Sequence, residues 1–117
     1  MGKTSDDMEV AIAHCTERSA MDAGFSHLDY LLEQGFDWFA MIKAHRRLTG
    51  TGIAEAYDAA LATEGWRNWC ARRCRIDREC QRLALHYAKG HPESRFVAVV
   101  DGRVVFFGTM DPHDPGR

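Results

Sequence analysis

The sequence predicts an α+β chain that is mainly α-helical, with four to five helices followed by one C-terminal antiparallel β-hairpin. Apolar residues recur at three, four or seven positions through most of residues 5–90, which is the period of an α-helix. Two runs rich in Val and Phe then flank Asp101-Gly102, a dipeptide that favours a two-residue hairpin turn. With 117 residues, 45% of them hydrophobic, the chain has the size of one globular domain. We expect that domain at residues 5–108, between flexible termini at 1–4 and 109–117.

The first two helices are indicated by residues that favour helix starts and stops. Residues 5–24 look helical, and Asp6 with Glu9 three positions later has the spacing of a capping box. Ser26, supported by Asp29, caps a short second helix, which Gly35 ends.

The third and fourth helices meet at a corner with the sequence Thr49-Gly50-Thr51-Gly52. The third helix begins near Asp37 and the fourth begins near Ile53. Gly50 suits the left-handed residue that ends a helix, and the Thr51 hydroxyl is expected to cap the next one. The inward faces are predicted at helical spacing: Trp38, Met41, Ile42, His45 and Leu48, then Ile53, Ala56, Tyr57, Ala60 and Leu61.

Residues 66–90 are predicted to form one long helix that ends at Gly90 and Pro92. This segment holds seven basic and two acidic residues, with Trp66 and Trp69 near its start. A basic helix with aromatic residues fits the backbone of a nucleic acid, an acidic protein groove or the chain's own acidic half. Residues 1–64 carry five basic and eleven acidic side chains, whereas residues 65–117 carry ten basic and six acidic. A whole-chain pI of about 6.3 favours protein contacts over nucleic acid.

The C-terminal hairpin is expected to be apolar on both faces. A two-residue turn pairs Val100 with Arg103 and Val97 with Phe106, and side chains then alternate across the ribbon. One face holds Phe96, Ala98, Val100, Val105 and Phe107, and the other holds Val97, Val99, Val104 and Phe106. Either the helices of the same chain cover both faces, or a second copy covers one. We expect a homodimer through Val97, Val99, Val104 and Phe106.

The cysteines and histidines form no recognisable catalytic motif in the sequence. Cys70 and Cys74 lie one helical turn apart, which makes them candidates for a small structural zinc site. Buried free thiols are the more common outcome in a reducing compartment. We therefore expect no catalytic residue, no cofactor and no metal. No run of about 18 apolar residues and no secretory signal occur, so we expect a cytoplasmic protein without membrane contact.

The stretch at residues 41–60, MIKAHRRLTGTGIAEAYDAA, resembles the central helix–turn–helix of the C-terminal domain of the ribosomal stalk protein. The matching residues are Ile42-Lys43-Ala44, Arg46, Thr49-Gly50, Gly52, Glu55-Ala56 and Asp58. The N-terminal domain of elongation factor Ts has a similar corner. In the stalk family this hairpin docks translation factors, so the resemblance implies contact roles for Lys43, Arg46 and Glu55. Tyr57 stands where that family has a basic residue, and the flanking segments do not follow the family.

These observations predict a small non-catalytic protein–protein interaction module, acting as an adaptor, inhibitor or regulator of a larger protein assembly. The predicted partner-binding residues lie on the corner helices and on the arginine-bearing segment: Lys43, Arg46, Glu55, Arg67, Arg72, Arg73, Arg75 and Arg78. One alternative is a nucleic-acid-binding regulator that uses the Arg-rich segment 66–90. Another is a protein with a small structural zinc site. A phosphate-binding loop is disfavoured, because the corner lacks a preceding strand and further glycines.

Overall fold

The computed structural model describes residues 5–108, and within them it has six helices and two strands. The helices are α1 (Ser5–Met21), α2 (His27–Glu33), α3 (Trp38–Thr49), α4 (Ile53–Leu61), α5 (Glu64–Ile76) and α6 (Arg78–Lys89). The strands β1 (Val97–Val100) and β2 (Arg103–Phe106) form one antiparallel sheet. The predicted class, mainly helical with a C-terminal β-hairpin, is confirmed. The sixth helix arises because the segment predicted as one long helix, residues 66–90, forms two helices.

The chain divides into two compact units, Met1–Thr63 and Glu64–Arg117. The first unit contains α1 to α4, and the second contains α5, α6 and the hairpin. The prediction of a single domain over residues 5–108 stays a prediction. The flexible termini expected at residues 1–4 and 109–117 lie outside the described residues.

The boundaries of α2 and α3 follow from local chemistry. The Ser26 hydroxyl accepts the Asp29 N–H at 3.2 Å, and the Asp37 carboxylate accepts the Ala40 N–H at 2.9 Å. Gly35, with a φ of 85°, takes the left-handed conformation after Gln34, the C-cap residue of α2. The capping box expected at Asp6 is wrong, because α1 already begins at Ser5.

The core of the first unit is built around α3, which packs against α1, α2 and α4. The predicted inward residues Met41, Ile42 and His45 are buried on α3. Ala44 of α3 is buried as well, and the neighbouring helices and the α2–α3 loop contribute the other buried side chains: Ala11, Cys15, Leu28, Leu31, Phe36, Ala56, Ala60 and Leu61. Ile53 was expected to face inward, but it is 51% exposed at the first position of α4.

The helix expected over residues 66–90 is broken at Asp77. The second unit therefore begins with two helices, α5 and α6. The backbone of Asp77 is extended, with φ −131° and ψ 109°. Its carboxylate accepts the N–H groups of Glu79 and Cys80 at 3.0 and 3.2 Å. These bonds satisfy free donors at the start of α6, so Asp77 is the N-cap of a new helix.

The β-hairpin has the predicted register. Val97 faces Phe106 and Val100 faces Arg103. The turn residues Asp101 and Gly102 have φ values of 52° and 74°, the left-handed pair that a type I′ turn requires. The strand β1 packs against α6, and β2 packs against both α5 and α6. The hairpin therefore has a helical cover from its own unit.

Candidate protein-docking surface

The corner between α3 and α4 is held by backbone geometry and two threonine hydroxyls. Gly50 has a φ of 73°, and its N–H donates to the Arg46 carbonyl at 2.8 Å. A Cβ on Gly50 would meet no atom within 4 Å, so the glycine serves backbone conformation rather than close packing. The Thr51 hydroxyl pairs with the Thr49 hydroxyl at 2.8 Å and does not cap α4. Gly52 is the N-cap residue instead, which corrects the prediction for Thr51.

The exposed side of α3 carries one apolar and two basic side chains in a row. Phe39, Lys43 and Arg46 are exposed and stand at positions i, i+4 and i+7, which places them along one stripe of a helix. We call these three residues the α3 stripe. Phe39 is 54% exposed. The opposite side of α3 holds the buried Met41 and His45, so the core fixes the direction of the stripe.

Lys43 and Arg46 are the two cations of α3 that point along the stripe. The third, Arg47, binds the Glu9 carboxylate of α1, with Nη2 3.1 Å from Oε1. This bond lowers the pKa of Glu9. Arg46 is steadied by a hydrogen bond from its Nε to the Thr51 carbonyl at 3.3 Å. The charge left for a partner is therefore that of Lys43 and Arg46.

Glu55, the third residue implied by the corner, lies in the first turn of α4. Its carboxylate folds back toward Gly52, where Oε1 would lie 3.2 Å from a Cβ built on that glycine. That position puts a negative charge at the N-terminus of α4, where the helix dipole favours it. The Glu55 carboxylate therefore stabilises the start of α4. Phe39 is an exposed residue of the stripe that was not predicted from the sequence. Its position four residues before Lys43 was the available signal.

The five arginines predicted as partner contacts lie in the second unit, whereas Lys43, Arg46 and Glu55 lie in the first. Arg67 is half-buried, with its guanidinium 4.9 Å from the centre of the Phe96 ring and Nη2 donating to the Gly108 carbonyl at 3.3 Å. Arg73 pairs with the Asp77 carboxylate at 3.3 Å. The exposed arginines of this set are Arg72, Arg73, Arg75 and Arg78.

The four predicted dimerisation residues differ in exposure within the chain. Val97 is 1% exposed and Phe106 is 6% exposed, so both are already buried. Val99 is 38% exposed, and Val104 is half-buried. On the other face, Val100 and Phe107 are 48% and 40% exposed. A homodimer through these residues stays a prediction, and Val99 and Val104 are the two of the four that keep exposed surface.

The four cysteines are free thiols. Burial raises the pKa of Cys70, and it raises that of Cys74 to about 12, with the neighbouring Cys80 adding to both shifts. A high pKa keeps a thiol protonated, and a protonated thiol is a poor nucleophile. Within residues 5–108, no three side chains of His, Cys, Asp or Glu are grouped so that they could hold a metal ion.

A histidine pair, with His45 buried and His27 half-buried, is the polar feature that the sequence did not predict. His27 Nε2 and His45 Nδ1 are 2.7 Å apart, and the rings stack with centroids 4.9 Å apart. Burial lowers the pKa of both rings, and His45 also lowers that of His27. Because the hydrogen bond needs an unprotonated acceptor nitrogen, at least one ring is neutral. The pair joins α2 to α3 behind the stripe.

No family model matches the chain, and neither a curated protein nor a solved structure matches it significantly. No helix among residues 5–108 combines the length and apolar character needed to cross a membrane. The resemblance of residues 41–60 to the ribosomal stalk domain therefore stays a prediction from the sequence.

Proposed function

We propose that the chain is a small, non-catalytic protein–protein interaction module that acts as an adaptor, inhibitor or regulator of a larger protein assembly. The observation that carries this proposal is the α3 stripe beside the Gly50 corner. An exposed phenylalanine next to two cations offers both apolar area and charge, as the anchor residues of protein interfaces do. The stripe lies on a helix whose other side is buried, so the backbone loses little conformational freedom when a partner binds.

The thiols support a role without catalysis. A nucleophilic cysteine needs a lowered pKa and a base beside it, whereas burial raises the pKa of Cys15, Cys70 and Cys74. We accordingly propose neither a catalytic residue nor a cofactor. Four free cysteines suit a reducing compartment, and we propose the cytoplasm.

Nucleic-acid binding through the arginines of α5 and α6 is the alternative that the sequence suggested. Arg73 and Arg82 pair with the carboxylates of Asp77 and Glu79, and Arg67 covers the Phe96 ring. These contacts reduce the charge that α5 and α6 offer to phosphates. We therefore rank protein docking through α3 above it.

The proposal is tested by affinity capture with the full-length chain from lysate of its source cells. We compare the wild type with a Lys43→Glu/Arg46→Glu variant and quantify each captured protein by mass spectrometry. The stripe variant is expected to lose a partner that the wild type retains. The matched control is Arg72→Glu/Arg78→Glu, which reverses two exposed arginines of the second unit and is expected to retain that partner.

Circular dichroism of both variants verifies that the helices remain folded, which is expected because the four changed side chains are exposed. A stripe variant that captures the same proteins in the same amounts as the wild type would contradict the proposed docking role. Loss of the partner only in the control variant would move the docking surface to α5 and α6.

A further inference from the structure

Resting on the proposed docking role of α3, we propose that the occupant of the stripe is a short acidic segment of another protein. This segment carries one or two aromatic or aliphatic side chains among its carboxylates. The carboxylates bind Lys43 and Arg46, and an apolar side chain packs on Phe39.

The charge of the occupant follows from the local charge of α3. Residues 38–54 contain Lys43, Arg46 and Arg47 but no Asp or Glu. Arg47 is held by Glu9, and Glu55 is turned back over Gly52. Lys43 and Arg46 are exposed, and neither takes part in the salt bridges found among residues 5–108. A partner with carboxylates supplies the complementary charge.

The size and apolar part of the occupant follow from the geometry of the stripe. The distance along α3 from Phe39 to Arg46 is about 10 Å, since each helical residue rises about 1.5 Å. Two turns of a helix, or a short extended peptide, match that length. Phe39 leaves 54% of its surface in water, and an apolar side chain that covers the ring removes this exposed area.

The net charge of the first unit favours an acidic protein segment over a nucleic acid. Residues 1–63 carry five basic and ten acidic side chains. A long polyanion meets repulsion from such a unit beyond the two cations of the stripe. A short acidic segment meets the local positive charge without approaching the remaining acidic surface.

The inference is tested by NMR titration of the full-length chain with synthetic probes. The first probe is a helix-forming peptide in which glutamates flank two leucines at i and i+4. Its two matched controls replace every glutamate with glutamine, or both leucines with alanine. A short single-stranded DNA is the fourth probe. Backbone amide shifts locate each probe, and the salt dependence of its Kd measures the charge contribution.

We expect the acidic leucine peptide to shift amides at and around Phe39, Lys43 and Arg46. The glutamine control and the alanine control are each expected to bind roughly tenfold more weakly. Phe39→Ala and Lys43→Glu/Arg46→Glu are each expected to weaken the first probe by a similar factor, whereas Arg72→Glu/Arg78→Glu leaves its Kd unchanged.

Three results would overturn the inference. The first is an absence of shifts at the stripe with the acidic leucine peptide. The second is DNA that binds the stripe at least as tightly as that peptide. The third is a change in the amide shifts of the stripe residues with protein concentration when no probe is present. That result would make the occupant a second copy of the chain. If capture depends on the stripe but the acidic peptide does not bind, the docking role stands and only the partner chemistry falls.

Discussion

The hydrogen bond between His27 and His45 makes the stability of the first unit depend on pH. In the folded chain, burial disfavours a charge on either ring, and a second proton would turn the acceptor nitrogen into a donor. The unfolded chain has no such restriction and takes up both protons near the ordinary histidine pKa of 6.5. The perturbation is therefore a change in pH from 8 to 5.5.

The sign and size follow from proton linkage. Because both folded pKa values are lowered, the unfolded state holds more protons below pH 6.5, and the free energy of unfolding falls as the pH falls. Each extra proton contributes a slope of at most about 1.4 kcal/mol per pH unit, so the pair contributes at most about 2.7 kcal/mol per unit. The contribution of the pair to the free energy of unfolding is fully present above pH 6.5. It is lost as the pH falls from 6.5 to the lowered pKa values of the folded chain.

The assay is urea unfolding at several pH values from 8 to 5.5, followed by circular dichroism, with an NMR titration of the two imidazole rings. His45→Gln removes one titrating ring and is expected to reduce the slope by about half. His86→Gln, at an exposed position of α6, is the control for loss of an imidazole. A free energy of unfolding that stays constant from pH 7 to 5.5 would refute this reasoning, as would NMR midpoints for both rings at or above 6.5.

Three further predictions concern the fold. Gly50→Ala places a side chain at a φ of 73°, a left-handed conformation that alanine rarely adopts. Because no steric clash adds to this strain, the substitution should lower the free energy of unfolding by about 1 kcal/mol in urea titrations. Asp77→Ala removes the N-cap of α6 and should lower the thermal midpoint, whereas Asp77→Asn keeps a capping oxygen and should recover most of that loss. Val97→Ala leaves a cavity at a site that is 1% exposed and should cost about 2 kcal/mol, against under about 1 kcal/mol for Val99→Ala at its 38% exposed neighbour. Equal losses at the two valines would contradict the assignment of Val97 to the core.

Local chemistry explains why much of the architecture was predictable. Ser26, Asp37 and Gly50 act through bonds and dihedral angles within a few residues, so their sequence neighbourhood is sufficient. The Asp101-Gly102 turn likewise determines the strand register around it. Asp77 was missed because the apolar period continues through residues 76–87, so the pattern of one long helix masked a capping residue inside it.

The candidate site depended more strongly on tertiary contacts. His27 and His45 are 18 positions apart, and only the packing of α2 on α3 brings their nitrogens together. The contact between Glu9 and Arg47 spans 38 positions, and it decides which cation of α3 is removed from the stripe. No local pattern contains this information, because such pairs are chosen by how helices pack.

The sequence by itself determined the mainly helical class, the Gly50 corner and the hairpin register, since each depends on period, caps or turn residues over short range. The tertiary structure alone decided which hairpin face is buried, whereas the break of the long basic segment follows from the local N-cap at Asp77. The tertiary structure also decided that Phe39, Lys43 and Arg46 form the exposed stripe. These outcomes depend on contacts between side chains that are far apart in the chain. Such contacts form only when the helices pack.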